Sequence, residues 1–197
     1  MYLPVIADEA ATCAGYADQQ IEALRAAALG LTEKQARETP CRSALSVAGI
    51  LKHIVYGLRG ALRDVSGESG PTSYDEDAFA AYARSFVLGE DETTAGVLAE
   101  LDEIRPVYRA ALAAADPDAP FLAPAAPWMG ITEPQPTTLR YAIQHQIEEL
   151  ARHAGHIDII REQIDGLSVQ TLMLTRAGAP ANPFFEPYVP AAGTIDA

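Results

Sequence analysis

Four histidines carry most of the chemistry this sequence offers. His53 stands alone in one predicted helix, whereas His145, His153 and His156 share another with Glu148 and Glu149. Each residue of a helix advances about 100° round the axis. With Glu149 set at zero, His153 lies at about 40°, His156 at about −20° and His145 at about −40°, so all four project from one side. Ile143, Ile147, Leu150, Ala154 and Ile157 mark the apolar side between about 80° and 160°, and Ala142, Ile160 and Ile164 extend it down to about 20°. His153 therefore falls inside the apolar arc and Glu149 at its edge, with His156 and then His145 nearer water.

The helix around His53 gives a matching picture. With His53 at zero, Val47, Ile50, Leu51, Ile54, Leu58 and Val65 span about 60° to 160°, which sets His53 at the rim of the core. Gly49, Gly57 and Gly60 lie within about 40° of it. An interior glycine costs about 1 kcal/mol relative to alanine, so three beside one histidine predict close approach by another helix or a ligand. A histidine from one helix and a Glu-x-x-x-His pair from another can meet at one divalent ion, because i,i+4 spacing puts both side chains of the pair on one face. Two histidines and one carboxylate form the donor set of catalytic zinc sites, which keep a coordination position open. The same residues also read as two satisfied core histidines and a solvated glutamate, and spacing leaves both readings standing.

Rival motifs fail on geometry. His156 and Asp158 match the His-x-Asp part of a non-haem iron site, but on a helix they point about 200° apart. His145 is followed by Gln146 and Ile147, so there is no HExxH motif. Gly67-Glu68-Ser69-Gly70 is one residue short of a nucleophile elbow and follows no strand. Neither a P-loop nor GxGxxG occurs.

The elements that must position these residues are helical. Gly30 stops a first helix over about 7–29, and Thr32 with Gln35 has capping-box spacing. Ser46 caps the second long helix, which ends at 66–70. A loop follows over 67–75, then a short helix from Asp75 to Phe86. The third long helix spans about 92–115 with Val97, Leu98, Leu101, Ile104 and Val107 toward the core and a kink or break at Pro106. Residues 115–136 are too proline-rich for regular structure and read as a long loop carrying Trp128 and Met129. Thr137 or Thr138 caps the fourth long helix, which ends at Gly166, and a fifth short helix fits 167–176. No strand is convincing. The expected architecture is an all-α four-helix bundle over 1–166, with long links between helices, and an extension over 167–197 that packs on the bundle or is partly disordered.

Composition narrows the function classes. The chain has 197 residues, about half of them hydrophobic, which suits one domain with one core. Its net charge of −13 disfavours nucleic acid. No apolar run is long enough to span a membrane and no signal peptide is evident, so a cytoplasmic location is expected. Cys13 and Cys41, without a CxxC, fit neither a disulfide scaffold nor a zinc finger.

LSVAGILKHIVYGLRG (45–60) and TLRYAIQHQIEELARHAGHIDIIREQIDG (138–166) resemble the two signature helices of the DinB-like superfamily. They are most similar to the branch of mycothiol-dependent maleylpyruvate isomerases and mycothiol S-transferases. The resemblance covers about 7–166 and implies an up-down-down-up four-helix bundle with a divalent metal in its core, zinc ahead of nickel. It implies His53, Glu149 and His153 as the metal ligands. Glu at the second position is as in the isomerase branch; many thiol-transferase relatives carry His there. His156 stands where relatives often carry Gln, which makes it, with His145, Gly49, Gly57 and Trp128, a residue of the surroundings or of the substrate pocket.

The activity this implies is metal-dependent S-transfer, in which a low-molecular-weight thiol, mycothiol by resemblance, attacks a small electrophile. The alternatives are a thiol-dependent cis-trans isomerase of the maleylpyruvate type and a non-catalytic metal-binding stress protein. Isomerases of the branch carry a further C-terminal domain, for which the residues after Gly166 are too few. The proline-rich loop and the aromatic tail Phe184–Tyr188 read either as covers for the site or as plain surface packing, and a homodimer is in keeping with the resemblance.

Overall fold

Side-chain caps start most of the helices. In the computed structural model, which describes residues 6–68, Gly70 and 74–196, the Asp8 carboxylate accepts from the Ala11 amide at 2.8 Å and opens α1 (Glu9–Ala26). Thr32 and Gln35 form the expected capping box around the single turn α2 (Glu33–Ala36). Ser46 caps α3 (Val47–Val65), Asp75 caps α4 (Glu76–Ser85) and Thr93 caps α5 (Thr94–Ala113). The longest helix, α6 (Leu139–Asp165), ends on Gly166 in the left-handed conformation that glycine adopts without strain, and α7 (Val169–Arg176) follows. The chain is mostly helical. Part of the loop expected over 67–75 lies outside the described residues.

α1 packs on α5 and α6, and α3 packs on the same two helices from the other side. Ile21, Leu24, Ile50, Leu51, Leu58, Leu101, Leu112, Leu150 and Ile157 fill the space between them and are fully buried. α4 lies on α3, and α7 on α1. No described helix is long and apolar enough to cross a membrane, and both cysteines are free.

Three expectations need correction. The stretch over 115–136 is not without regular structure: β1 (Pro120–Ala123) and β2 (Gln135–Thr138) pair antiparallel, with Phe121 opposite Thr137. Each strand of a two-stranded ribbon keeps a free edge, so its prolines are tolerated there. The hairpin tip is a 3₁₀ turn at Pro127–Met129, closed by Gly130 at φ 78°. Second, Pro106 does not break α5, which continues through it to Ala113. Asp102, whose carbonyl loses its helical partner to that proline, is exposed, so water can satisfy it. Third, Val107 is exposed and Tyr108 is buried in its place. Tyr108 lies one helical repeat beyond Ile104, on the stripe that runs through Val97 and Leu101.

The chain after α7 returns to α1. Gly30 donates to the Ile195 carbonyl and Ile195 to that of Leu31, both at 2.9 Å. Gly30 has φ 76°, and a Cβ there would overlap the Tyr188 ring. Arg25 and Arg176 bind Asp196. The tail therefore lies away from the histidines, and neither Phe184 nor Tyr188 lines the cavity around them.

Arg25 holds the Asp196 carboxyl below its ordinary value of 3.8, against the opposing effect of partial burial. The folded value is the lower one, so this contribution is complete above about pH 5 and fades as the pH falls through the folded value. Asp196→Asn is expected to cost about 1 kcal/mol at pH 7, with the two proteins converging on acidification. Urea unfolding across pH 3–7 checks this; a constant difference would contradict it.

Candidate metal centre

His53 sits midway along α3 and His153 in the second half of α6. The packing of these helices brings their ring centroids to 4.9 Å. Both rings are buried, at 9% and 7% exposure. Burial pushes the His53 imidazole down to about 4, helped by neighbouring His153. Burial also lowers His153, although Glu149 opposes it. Both rings are therefore neutral at pH 7 and can offer lone pairs, as metal ligands must.

Glu149 is one turn before His153, and its Oε2 is 3.8 Å from His153 Nε2. That is too long for a hydrogen bond. It is short enough for one ion to bridge, since zinc–nitrogen and zinc–oxygen bonds are about 2.0–2.2 Å. His153 Nδ1 is buried without a hydrogen-bond partner, as is Nδ1 of His156, whose ring centroid is 5.6 Å from that of His153. His53 is better served. Its Nδ1 is 2.8 Å from Ser85 Oγ, and its ring stacks on Phe86 at 3.8 Å with Tyr82 edge-on at 5.4 Å.

The helical angles order the α6 residues as the structure does: His153 is buried, Glu149 and His156 are half-buried, and His145 is exposed. Among the described residues, however, the donor atoms that all fall within 4.8 Å of one another belong to His145, Glu148 and Glu149 at the exposed lip. Glu148 there already binds Arg152 at 2.5 Å, and His145 stacks on Tyr141. Exposed carboxylates cluster readily without an ion; the inner group instead sets two buried, neutral imidazoles beside Glu149. Glu149 belongs to both groups.

These residues form the floor of a cavity of about 680 Å³. Tyr56, Tyr74, Phe79, Tyr82 and Trp128 supply its walls, with Gln146 and His145 toward the mouth. Trp128 reaches it from the hairpin tip and sits edge-on to Tyr74, whose hydroxyl donates to the Ala125 carbonyl. No lysine or arginine lines the cavity among the described residues.

The three glycines of α3 separate by role. A Cβ at Gly49 would overlap the Phe86 carbonyl oxygen, so this glycine admits the end of α4. Gly57 has open space before it and borders the cavity. Gly60 meets no close neighbour. Nothing in the residue pattern signals Ser85, Tyr82 and Phe86, which only the docking of α4 brings to His53, nor the aromatic walls. The one available hint was Gly49, which predicted a close neighbour without naming it.

Two neutral imidazoles and a carboxylate thus lie between long helices beside an aromatic-lined cavity. The chain belongs to the mycothiol S-transferase family, a branch of the DinB-like proteins, whose family model matches residues 12–166. That span runs from within α1 to the glycine ending α6 and contains every cavity residue. Comparison with curated proteins and with solved structures found no match.

Gly49→Ala is expected to destabilise the protein by about 1–3 kcal/mol through overpacking. Gly57→Ala is expected to be neutral or to stabilise it by up to about 1 kcal/mol, as an open helix position allows. Chemical denaturation of the two variants separates the roles; equal costs would contradict them.

Proposed function

We propose that the protein is a metal-dependent thiol S-transferase that joins a low-molecular-weight thiol, mycothiol by family, to a small neutral electrophile. The observation that carries this reading is the buried pair His53 and His153 with Glu149, open on one side to an aromatic cavity. In this reading α1, α3, α5 and α6 are the DinB-like up-down-down-up bundle within a 1–166 domain, and 167–197 is an extension to it.

His53, Glu149 and His153 would hold the ion, and zinc suits a donor set of two nitrogens and a carboxylate. When bound, such an ion lowers the pKa of a thiol so that it is present as thiolate. The protein's own residues do the rest. The two imidazoles stay neutral through burial, so they do not compete with the thiol for a proton near pH 7. Tyr74, Phe79, Tyr82 and Trp128 offer flat apolar faces that hold an electrophile and exclude water from it. The sulfur forms a bond to carbon, the thiol proton passes to solvent, and the leaving group departs with its electron pair; the product keeps the thiol.

The cavity lining favours transfer over isomerisation. A dicarboxylate of the maleylpyruvate type would find no lysine or arginine among the described lining residues to pair with its second carboxylate. An uncharged electrophile with a planar group meets no such obstacle.

Elemental analysis is expected to find close to one divalent ion per chain in the purified protein and little in His153→Ala. Thiol consumption with mycothiol and a benzylic halide should be lost in that variant and after chelation. Trp128→Ala should raise KM for the halide up to about tenfold, the value of one aromatic contact. Equal metal content in wild type and His153→Ala would overturn the ligand assignment.

A further inference from the structure

Ser85 is the one buried residue of α4. The other residues of α4 are half-buried or exposed, so a buried hydroxyl among them calls for an explanation. Its two contacts supply one. Ser85 Oγ lies 2.6 Å from the Tyr82 carbonyl, which can only accept, so the single hydroxyl proton goes there. In the 2.8 Å contact with His53 Nδ1 the serine oxygen must then accept and the ring nitrogen donate. A neutral imidazole has one N–H, so Nε2 is left bare.

We propose that Ser85 is a positioning residue that sets the tautomer of His53, placing the proton on Nδ1 and leaving the Nε2 lone pair free as a ligand. The rest of the α4 terminus works with it. Phe86 stacks on one face of the ring at 14° between planes, and Tyr82 meets its edge. Residues 82, 85 and 86 follow i, i+3, i+4 spacing, which puts all three on the face of α4 turned to His53. Gly49 admits the Phe86 carbonyl against α3, which allows the clamp to close. A histidine that binds a metal commonly donates its other ring N–H to an oxygen acceptor that fixes orientation and tautomer, and loss of that acceptor typically costs about 10–100-fold in metal affinity. The relay from His53 through Ser85 to the Tyr82 carbonyl has that form.

The importance of this relay for affinity rests on the metal-dependent reading; the tautomer itself does not. The test therefore has two readouts. Nitrogen-15 NMR of the histidine side chains in the metal-free full chain is expected to show His53 protonated at Nδ1 in wild type and in Ser85→Thr. In Ser85→Ala the proton is expected to move partly or wholly to Nε2. Competition between the protein and a chelator for zinc should show affinity falling about 10–100-fold in Ser85→Ala and kept within a few-fold in Ser85→Thr. A wild-type His53 protonated at Nε2 overturns the proposal without any variant, should Ser85→Ala fail to fold. An unchanged tautomer in Ser85→Ala, or equal losses of affinity in both variants, also overturns it. If no protein binds zinc while the tautomer still shifts, the metal-dependent reading fails and the positioning role of Ser85 stands.

Discussion

The site depends on α3 and α6 packing closely enough to hold two imidazole rings side by side and out of water. At 4.9 Å between centroids, with both rings more than nine-tenths buried, neither readily accepts a proton, because each would carry a charge into an apolar interface beside the other. The apolar stripes of the two helices enforce this arrangement. Ile50, Leu51 and Leu58 on α3 and Leu150 and Ile157 on α6 are fully buried. Helix packing thus keeps nitrogen lone pairs available near neutral pH, and Glu149 supplies a negative charge at the edge of the same interface.

Around that floor the rest of the chain contributes walls and clamps. α4 places an acceptor, a stacked ring and an edge-on ring against His53. The hairpin β1–β2 carries Trp128 to the cavity on a tight turn, and the Tyr74 hydroxyl ties the preceding loop to that turn at Ala125. On the far side, Arg25 joins α1 to α5 through Asp102 and to the chain end through Asp196, so the C-terminal segment braces the helices without approaching the cavity. A segment rich in aromatic residues need not serve a site; Tyr188 packs on Gly30.

Much of this was legible in the sequence where periodicity and capping speak. The long helices, the Thr32–Gln35 capping box and the Ser46 cap all follow from local residue chemistry. So does the graded burial along α6 from His153 to His145, because 3.6-residue geometry alone decides which side chains face the apolar arc. Features set by tertiary contact were not legible. Proline content hid the hairpin, since prolines are compatible with a two-stranded ribbon that lacks outer neighbours. Val107 was expected to face the core, but the core stripe passes through Tyr108, next to it in the chain and about 100° away round the helix. Ser85 carries no sequence signal of its own. Its role exists only because Gly49 lets the end of α4 settle on α3, and no residue of either segment names the other.

The central claim is that one cation binds between α3 and α6, on His53, Glu149 and His153. A crystal structure of the zinc-loaded protein, with anomalous data collected at the zinc edge, tests it most directly. The expected result is a single strong peak within bonding distance of His53 Nε2, a His153 ring nitrogen and a Glu149 oxygen, with a coordination position facing the cavity. A peak on His145, Glu148 and Glu149 at the lip, or none between the two buried imidazoles, would contradict the account.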